Sequence, residues 1–333
     1  MSYCIYIVDD DKTNLRLAGQ ILSKNGMRVS GFTSGRAMLN ALDDRKPDLI
    51  LLDIMMPGLD GFDTMSLLLK RDEGNNIPVI FLTADEEAET ETKCLRMGAM
   101  DFIKKPFVPE VLVLRARHTI ELVRLKNNLA EEVAKKTRAL EKLSFHIVET
   151  LADAIDAKDT YTHGHSKRVA EYAVKIAKRY GYSDEMAQDI YIMGLLHDVG
   201  KIGIPDAVIK KPGKLTDEEF DVIKTHPPKG SKILANIVEM PSLVTGAHWH
   251  HERYDGNGYP DGLAADKIPE SARIIAVADA YDAMTSDRSY RSSISQEDVR
   301  NEILKGKGKQ FDPVFADIML ELIDEDTRYN MHE

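Results

Sequence analysis

The first 125 residues alternate between short apolar runs and amphipathic helical stretches, and this alternation limits the folds that are possible. Runs of strand length occur at 3–8 (YCIYIV), 48–53 (DLILLD), 77–83 (IPVIFLT) and 100–105 (MDFIKK), with a weaker one at 28–32 (RVSGF). Runs without a polar face indicate strands that are buried on both sides. Short connections between strands and helices are typical of a doubly wound sheet. The sequence therefore predicts an α/β domain with a five-stranded parallel sheet.

Polar residues follow the predicted strands at the points where they end. Asp9 and Asp10 follow the first strand, Asp53 ends the third, Thr83 ends the fourth and Lys105 ends the fifth. Ligands of such sheets bind at the carboxyl ends of the strands. Three carboxylates there would repel one another unless a hard cation such as Mg²⁺ lies among them. The alternative is that the acidic residues lie in ordinary solvated turns. The position of all five polar residues at strand ends makes this alternative the weaker one.

The motifs VDDDK, LLDIMMPGLDGF, FLTA and KKPF resemble the receiver domain of two-component response regulators over residues 1–122. The resemblance implies that a sensor histidine kinase is the partner and that Asp53 is phosphorylated, which adds about −1.5 to −2 charges. It also implies a Mg²⁺ site, two residues that bind the phosphoryl group and an aromatic switch. The resemblance assigns the Mg²⁺ site to Asp9 and Asp10 with the Met55 carbonyl. It assigns phosphoryl binding to Thr83 and Lys105, and the switch position to Phe102.

Residues 108–150 contain no glycine, and their only proline is Pro109, so they predict one long helix. Its apolar residues follow a period of 3.5, interrupted by Lys126 and Lys136, and they are Leu122, Leu129, Val133, Leu140, Leu143 and Ile147. Such a narrow seam indicates a parallel coiled coil. We therefore expect a linker over 123–144 that forms a homodimer. A helix packed on its own domains is the alternative.

From about residue 145 onward the pattern is helical, and polar residues interrupt its apolar faces. Seven of the ten histidines lie between His163 and His251. In GLLHDVGK (194–201), a histidine and an aspartate end an apolar run, and burying them without partners costs several kcal/mol. Each histidine alone is compatible with an ordinary core position. Together they predict a metal site from His165, His197, Asp198, His226, His250, His251 and Asp279.

The spacing of these residues predicts two metal ions. Neighbouring residues of a regular helix do not share a face, so His197 and Asp198 cannot both reach one atom. They can reach two ions if the carboxylate bridges them. We expect the same of His250 and His251, one ligand to each ion. Nitrogen and oxygen donors without thiolates suit first-row divalent ions such as Fe or Mn. A hydroxide between two such ions attacks phosphate esters at neutral pH.

The motifs GHSKRV, HDVGK, THP, HHERYDGNGYPDGL and VADAYDAMTSDRSYR resemble the HD-GYP branch of the HD phosphohydrolases over about residues 145–325. The resemblance implies an all-α phosphodiesterase domain at 145–333 that acts on cyclic di-GMP. The resemblance implies that the seven residues of the predicted metal site are the metal ligands. It also implies that Lys201 lies near the scissile phosphate and that Lys201 and Asp198 are catalytic residues. It implies substrate contacts from Gly258, Tyr259, Pro260, Arg288 and Arg291.

One position departs from the family pattern. Some members bind a third metal through a glutamate four residues before the first ligand histidine, where this chain has Tyr161. We therefore expect two metals. Asp159 and His163 are close enough in sequence to add a ligand, which is the alternative.

Net charge, apolar runs and cysteine content exclude some classes of function for this chain. A formal charge of −11 argues against nucleic-acid binding, and no run of 18 apolar residues predicts a membrane span. Two distant cysteines and no recognisable signal peptide suggest a cytoplasmic protein. We expect a phosphorylation-controlled enzyme that hydrolyses cyclic di-GMP to pGpG, GMP or both. The alternatives are a binding or docking module with little turnover, and a hydrolase of another cyclic dinucleotide.

Overall fold

The computed structural model of the chain describes residues 2–71, 77–84, 88–158, 164–286 and 294–331. The chain divides into two compact units, Met1–Arg138 and Ala139–Glu333. Among the described residues, no helix combines the length and the apolar composition that crossing a membrane requires.

The first unit contains a parallel sheet of five strands in the order β2-β1-β3-β4-β5, which confirms the predicted fold class. The strands are β1 (Cys4–Val8), β2 (Arg28–Phe32), β3 (Leu49–Asp53), β4 (Val79–Thr83) and β5 (Asp101–Lys104). Every residue of β1, β3 and β4 is buried, as their unbroken apolar runs predict. β2 lies at the edge and is more exposed, which explains its weaker pattern.

Four helices connect these strands: α1 (Lys12–Lys24), α2 (Gly35–Ala41), α3 (Gly61–Leu69) and α4 (Ala88–Arg96). Three of them begin with a side-chain cap. Asp11, Ser34 and Asp60 each accept a hydrogen bond from a backbone N–H two or three residues further on. Such caps satisfy donors that a helix start leaves unpaired. They fix where each helix follows its strand, and therefore the loops at the carboxyl edge of the sheet.

A single helix of 48 residues, α5 (Pro109–Asp156), begins in the first unit and ends in the second. It confirms the continuous helix that the sequence predicts. The six seam residues are between 56% and 64% exposed. Their exposure disfavours a helix that is packed on its own domains along the seam.

The described residues of the second unit form helices and irregular segments, with one isolated β-bridge, so the predicted all-α domain is confirmed. A core of apolar side chains around Tyr172, Tyr281 and Phe315 holds the helices together. The α-helices are α6 (His165–Tyr180), α7 (Asp184–Leu196), α8 (Asp206–Ile209), α9 (Asp217–Ile223), α10 (His226–Leu234), α11 (Leu243–Trp249), α12 (Glu270–Thr285), α13 (Gln296–Gly306) and α14 (Pro313–Glu325). Short 3₁₀ helices span Val199–Gly203 and Ala265–Lys267.

Candidate metal centre and phosphoryl-acceptor site

Most of the predicted metal ligands lie at helix ends, where consecutive residues need not follow helical spacing. His165 and His226 are the first residues of α6 and α10, and His197 and His250 directly follow α7 and α11. Close packing brings two of these segments together. A Cβ atom on Gly200 would lie 1.9 Å from the carbonyl oxygen of His226, so only glycine fits there.

Asp198 lies between two groups of imidazoles. Its Oδ1 is 3.2 Å from His226 Nε2 and 3.8 Å from His250 Nε2. Its Oδ2 is 3.4 Å from His197 Nε2 and 3.7 Å from His165 Nε2. One group consists of Asp198, His226, His250 and His251, and the other of His165, His197 and Asp279. The structure thus brings all seven predicted ligands together, with one carboxylate shared between the groups.

This grouping differs from the expectation of one ion for each of His250 and His251. Both belong to the same group, and their ring centroids are 4.1 Å apart. The reason is local: α11 ends at Trp249, and His251 lies in the turn beyond it. The rule that neighbours face different ways applies inside a helix and fails at this end.

Hydrogen bonds at Nδ1 orient four of the imidazoles. His197 bonds to Gly194 O at 2.6 Å, His226 to Ile223 O at 2.7 Å and His250 to Gly246 O at 2.9 Å. His165 bonds to Asp282 Oδ2 at 2.7 Å. Carbonyl oxygens only accept, so Nδ1 donates, which leaves the lone pair of a neutral ring on Nε2. These lone pairs face Asp198, as metal ligands require.

Several buried atoms of this cluster lack ordinary partners. Among the described residues, His197 Nε2 and Asp198 Oδ1 have no hydrogen bond of acceptable geometry. His226 Nε2 and His250 Nε2 are only 3.3 Å apart, although both carry lone pairs when Nδ1 is protonated. Unpaired buried polar atoms cost about 1–3 kcal/mol each. The donor set and its unpaired atoms therefore fit divalent metal ions.

The electrostatics of the cluster keep Asp198, His250 and His251 in the forms that bind metals, whereas His197 has to lose a proton before it can bind one. Burial acts to raise the pKa of Asp198, but the Lys201 ammonium, 2.6 Å from Oδ2, and His197 hold this pKa well below its usual range. Burial lowers the pKa values of His250 and His251 far below the usual value, so both rings are neutral. Burial also acts to lower the pKa of His197, but Asp198 outweighs it and raises this pKa to about 9.

Behind the predicted ligands lie three charged side chains that the predictions from the sequence leave without a role. Asp282, whose Oδ2 bonds to His165 Nδ1, also accepts from the guanidinium of Arg168 at 2.6 Å (Nε) and 3.1 Å (Nη2). Arg168 thus supports His165 through Asp282. The carboxylate of Glu252 is 3% exposed and accepts three backbone hydrogen bonds. Its position directly after His250 and His251 was the available signal.

The predicted substrate contacts Gly258, Tyr259 and Pro260 lie on a loop beside the predicted metal ligands. The Tyr259 ring centroid is 4.8 Å from that of His251, and Pro260 follows it. A Cβ atom on Gly258 would lie 2.3 Å from the backbone nitrogen of Arg253, so this position requires glycine. Some other predicted or alternative site positions lie outside the described residues, namely Asp159, Tyr161, His163, Arg288 and Arg291.

A cavity of about 330 Å³ adjoins the metal ligands. His250, His251 and Asp279 line one part of it, and polar side chains of Glu302 and Gln310 line another. Binding sites for small organic ligands commonly have this size and this mixture of apolar walls and few polar groups. The remaining lining residues are Glu252, Arg253, Ala276, Ala280, Ala283, Met284 and Phe311.

The first unit carries a separate polar site at the carboxyl edge of its sheet. Lys105 Nζ lies 2.7 Å from Asp9 Oδ2 and 2.8 Å from Asp53 Oδ1. Lys104 instead pairs with Glu91 at 2.8 Å, in line with the choice of Lys105 from the sequence. Ligand oxygens of Asp9, Asp10 and Asp53 lie within 4.8 Å of one another, close enough to hold a metal ion.

Burial shapes this site as well. Asp53 is 3% exposed, and burial raises its pKa against the opposing effect of Lys105. Thr83 ends β4 and is buried, whereas the Met55 side chain is 75% exposed. Phe102 is partly buried, with the Arg115 guanidinium 5.7 Å from its ring centroid. The structure therefore gathers Asp9, Asp10, Asp53 and Lys105 at one edge of the sheet.

Comparisons with known proteins assign both units. Residues 5–117 match the family model of the response regulator receiver domain, and residues 149–314 match that of the HD domain. The chain is 34% identical to a cyclic di-GMP phosphodiesterase of Thermotoga maritima, over 98% of this chain and 95% of the relative.

Two further relatives extend the comparison. The chain is 33% identical to the cyclic di-GMP phosphodiesterase response regulator RpfG of Xanthomonas campestris, over 95% of this chain and 86% of the relative. A 3′3′-cGAMP-specific phosphodiesterase 2 of Vibrio cholerae is 37% identical over 56% of this chain and 36% of the relative. An HD domain implies that divalent metal ions bind to the second unit.

Proposed function

Because the chain belongs to the family of response regulators that join a receiver domain to an HD domain, we propose that it hydrolyses cyclic di-GMP under the control of Asp53 phosphorylation. The observation that carries the proposal is Asp198, whose two oxygens face two groups of imidazoles beside a cavity of about 330 Å³. The proposed domains are a receiver at 1–122, a linker at 123–144 and an HD-GYP domain at 145–333.

The proposed metals are two first-row divalent ions, Fe or Mn. His165, His197 and Asp279 would hold one ion and His226, His250 and His251 the other, and Asp198 would supply a carboxylate oxygen to each. Such a pair supplies Lewis acidity toward a phosphate and a water of lowered pKa. The imidazole and carboxylate donors, without a thiolate, support this choice.

The chain's own residues bind and orient the substrate in this proposal. Lys201 lies 2.6 Å from the bridging carboxylate, so its ammonium is placed to stabilise negative charge on the scissile phosphate. Tyr259, between Gly258 and Pro260, presents an aromatic ring beside His251. Arg288 and Arg291 are proposed to bind the second phosphate or a guanine. The products are linear pGpG, GMP or both.

In the receiver domain, Asp53 accepts the phosphoryl group from a sensor histidine kinase. Asp9 and Asp10 hold Mg²⁺ with the Met55 carbonyl, and Thr83 and Lys105 bind the phosphoryl oxygens. Lys105 already contacts Asp53, so the positive charge that would stabilise the phosphoryl group is in place. Phe102 is the proposed aromatic switch, which responds to the movement of Thr83.

The linker helix offers a route for control because its end, with the residues just after it, contacts two segments next to predicted ligands in the second unit. The carboxylate of Asp156, the last residue of α5, accepts from Ser166 N at 3.1 Å and from Ser166 Oγ at 2.6 Å. Ser166 directly follows the ligand His165. Lys158 Nζ donates to the carbonyl oxygens of Ile202 and Ile204 at 2.7 and 2.8 Å, just beyond Lys201. A shift of this helix end would therefore displace ligands of the metal centre.

The exposed seam of α5 supports a homodimer. Six apolar side chains at a/d spacing are more than half exposed, and a second copy of the same helix would cover them. Lys126 and Lys136 on the seam would make this coiled coil marginally stable, as a signalling joint requires.

The decisive experiment is an anaerobic incubation of the Mn(II)- or Fe(II)-loaded chain with cyclic di-GMP, with products identified by mass spectrometry. We expect pGpG or GMP from the native chain and none from the His197→Ala/Asp198→Ala variant. The matched control is His248→Ala, since His248 bonds to Ser231 and Asp261 outside the ligand groups. Tight binding without turnover would favour a binding module, and hydrolysis of 3′3′-cGAMP alone would favour the other substrate.

A further inference from the structure

We propose that Glu252 is a positioning residue that holds Tyr259 against His251 and thereby orients this ligand of the metal centre. The inference rests on the proposed function, because it assigns His251 to a metal. Glu252 lines the cavity but belongs neither to the predicted ligand set nor to the predicted substrate contacts.

The need for such a residue arises from His251 itself. Four of the five ligand imidazoles are oriented by a hydrogen bond at Nδ1. Among the described residues, His251 has no hydrogen bond at either ring nitrogen. It is instead enclosed by rings, with centroids 4.1 Å away in His250, 4.8 Å in Tyr259 and 5.0 Å in His226. Two of these rings are ligands themselves, so Tyr259 is the neighbour that is free to act as a support.

Tyr259 depends on Glu252 for its place. Glu252 Oε1 accepts from the backbone nitrogens of Asp261 at 2.7 Å and Gly262 at 3.0 Å, and Oε2 accepts from Leu263 at 3.0 Å. The carboxylate therefore closes the loop of residues 252–263 onto its own first residue. It is 3% exposed, so these hydrogen bonds do not compete with bulk water.

Backbone contacts complete the link between the loop and the ligand. Tyr259 N donates to His251 O at 3.2 Å. A Cβ atom on Gly258 would lie 2.6 Å from Glu252 Cα, so the absence of a side chain lets the loop lie against the segment that follows the ligands. The order of residues in HHERYDGNGYPDGL thus has a physical reason. The ligand His251 is followed by Glu252, the clamp that closes the loop, and then by Gly258, which permits the close approach, and Tyr259, whose ring supports His251.

A carboxylate is required because three N–H groups converge on it. A glutamine at this position keeps the shape but offers one acceptor oxygen, and its NH₂ group faces at least one backbone donor. A buried donor that loses its acceptor costs about 1–3 kcal/mol. Residues that orient metal ligands typically contribute 10–100-fold to metal affinity or activity.

The chain contains a reporter for this loop. Trp249 is the only tryptophan, and its Nε1 donates to Asp261 Oδ2 at 2.8 Å. Asp261 is also one of the residues that Glu252 holds through the backbone. The fluorescence of Trp249 therefore reports the position of the loop in the metal-free protein, without any dependence on catalysis.

The test uses the full chain and two measurements, Trp249 emission without metal and titration with Mn(II) at equilibrium. We expect Glu252→Gln to shift the emission and to weaken one of two Mn(II) sites about 10–100-fold, with the other unchanged. Tyr259→Leu should weaken the same site while Trp249 emission stays native, because the clamp is intact. The matched control Glu239→Gln removes an exposed carboxylate and should change neither measurement.

Unchanged Mn(II) affinities in both Glu252→Gln and Tyr259→Leu would overturn the inference. If Glu252→Gln does not fold, Glu252→Asp takes its place: it keeps two acceptor oxygens but is one methylene shorter, and it too should shift Trp249 emission and weaken one Mn(II) site. If the two variants lose Mn(II) affinity as expected but the native chain, loaded with Mn(II), does not hydrolyse cyclic di-GMP, the proposed function is refuted and the positioning role stands.

Discussion

Replacing Asp198 tests whether one carboxylate serves both metal positions. Its two oxygens lie 3.2–3.8 Å from four imidazole nitrogens that belong to two groups. In Asp198→Ala, each group loses an oxygen donor and the shared charge. In His226→Ala, one group loses a nitrogen donor, while the group of His165, His197 and Asp279 keeps its own ligands and the shared carboxylate.

The expected size follows from mass action. At a free metal concentration of 100 times Kd, each ion stabilises the folded unit by about 2.7 kcal/mol, so two ions contribute about 5 kcal/mol. For a unit of 150–250 residues, 1 kcal/mol shifts Tm by about 2–4 °C. We therefore expect Mn(II) to raise the Tm of the second unit by about 10–20 °C in the native chain.

The assay is differential scanning calorimetry of the full chain, with and without Mn(II), following the transition that responds to metal. His226→Ala should keep about half of the native shift, and Asp198→Ala should lose nearly all of it. Each variant is compared with its own metal-free form, so a general loss of stability does not enter. A shift in Asp198→Ala equal to or larger than that in His226→Ala would refute the bridging arrangement.

Three further predictions address the rest of the chain. Lys105→Met leaves the carboxylates of Asp9 and Asp53 without their buried partner, so urea unfolding should show a loss of about 3–5 kcal/mol in the stability of the first unit. Lys104→Met removes an exposed pair and should lower the stability by less than about 1 kcal/mol. Asp156→Asn should weaken the response of hydrolysis to a phosphodonor while Mn(II) binding persists; an undiminished response would exclude this route. The pKa values of His250 and His251 are depressed in the folded state, so below about pH 6.5 the unfolded chain binds protons that the folded chain does not. The stability of the metal-free second unit should therefore fall as the pH decreases below about 6.5. A urea midpoint that is constant between pH 7 and pH 5 would contradict this sign.

The fold was accessible from the sequence because each level of organisation carries the same signal. The strands of the first unit are continuous apolar runs, and capping residues such as Asp11 and Asp60 begin the helices that follow them. The edge of the sheet then gathers its polar residues as a consequence of parallel topology. Even the choice of Lys105 over its neighbour matches the contact with Asp53.

The arrangement of the metal ligands was less accessible, because it depends on how helices end. The expectation that His250 and His251 serve different ions came from helical spacing, and this spacing stops at Trp249. The hydrogen-bond acceptors that orient the imidazoles could not be predicted from the sequence either, since most are backbone carbonyl oxygens, which every residue has. Arg168 and Glu252 lie beside ligands in sequence, but only the fold shows what their charges contact.

The two sites solve one electrostatic problem in the same way. Each buries a carboxylate that must be ionised to function, Asp53 in one and Asp198 in the other, and burial alone would favour the neutral acid. In each, a lysine contacts that carboxylate, at 2.8 Å for Lys105 and 2.6 Å for Lys201. In the proposed function, the lysine offsets the cost of burying the ionised carboxylate until Asp53 is phosphorylated or Asp198 binds metal ions. After either event, the ammonium of Lys105 or Lys201 would lie next to a phosphate, whose negative charge it can stabilise. The proposed function therefore gives the same two lysines a role before the chemistry, next to a buried carboxylate, and a role during it, next to a phosphate.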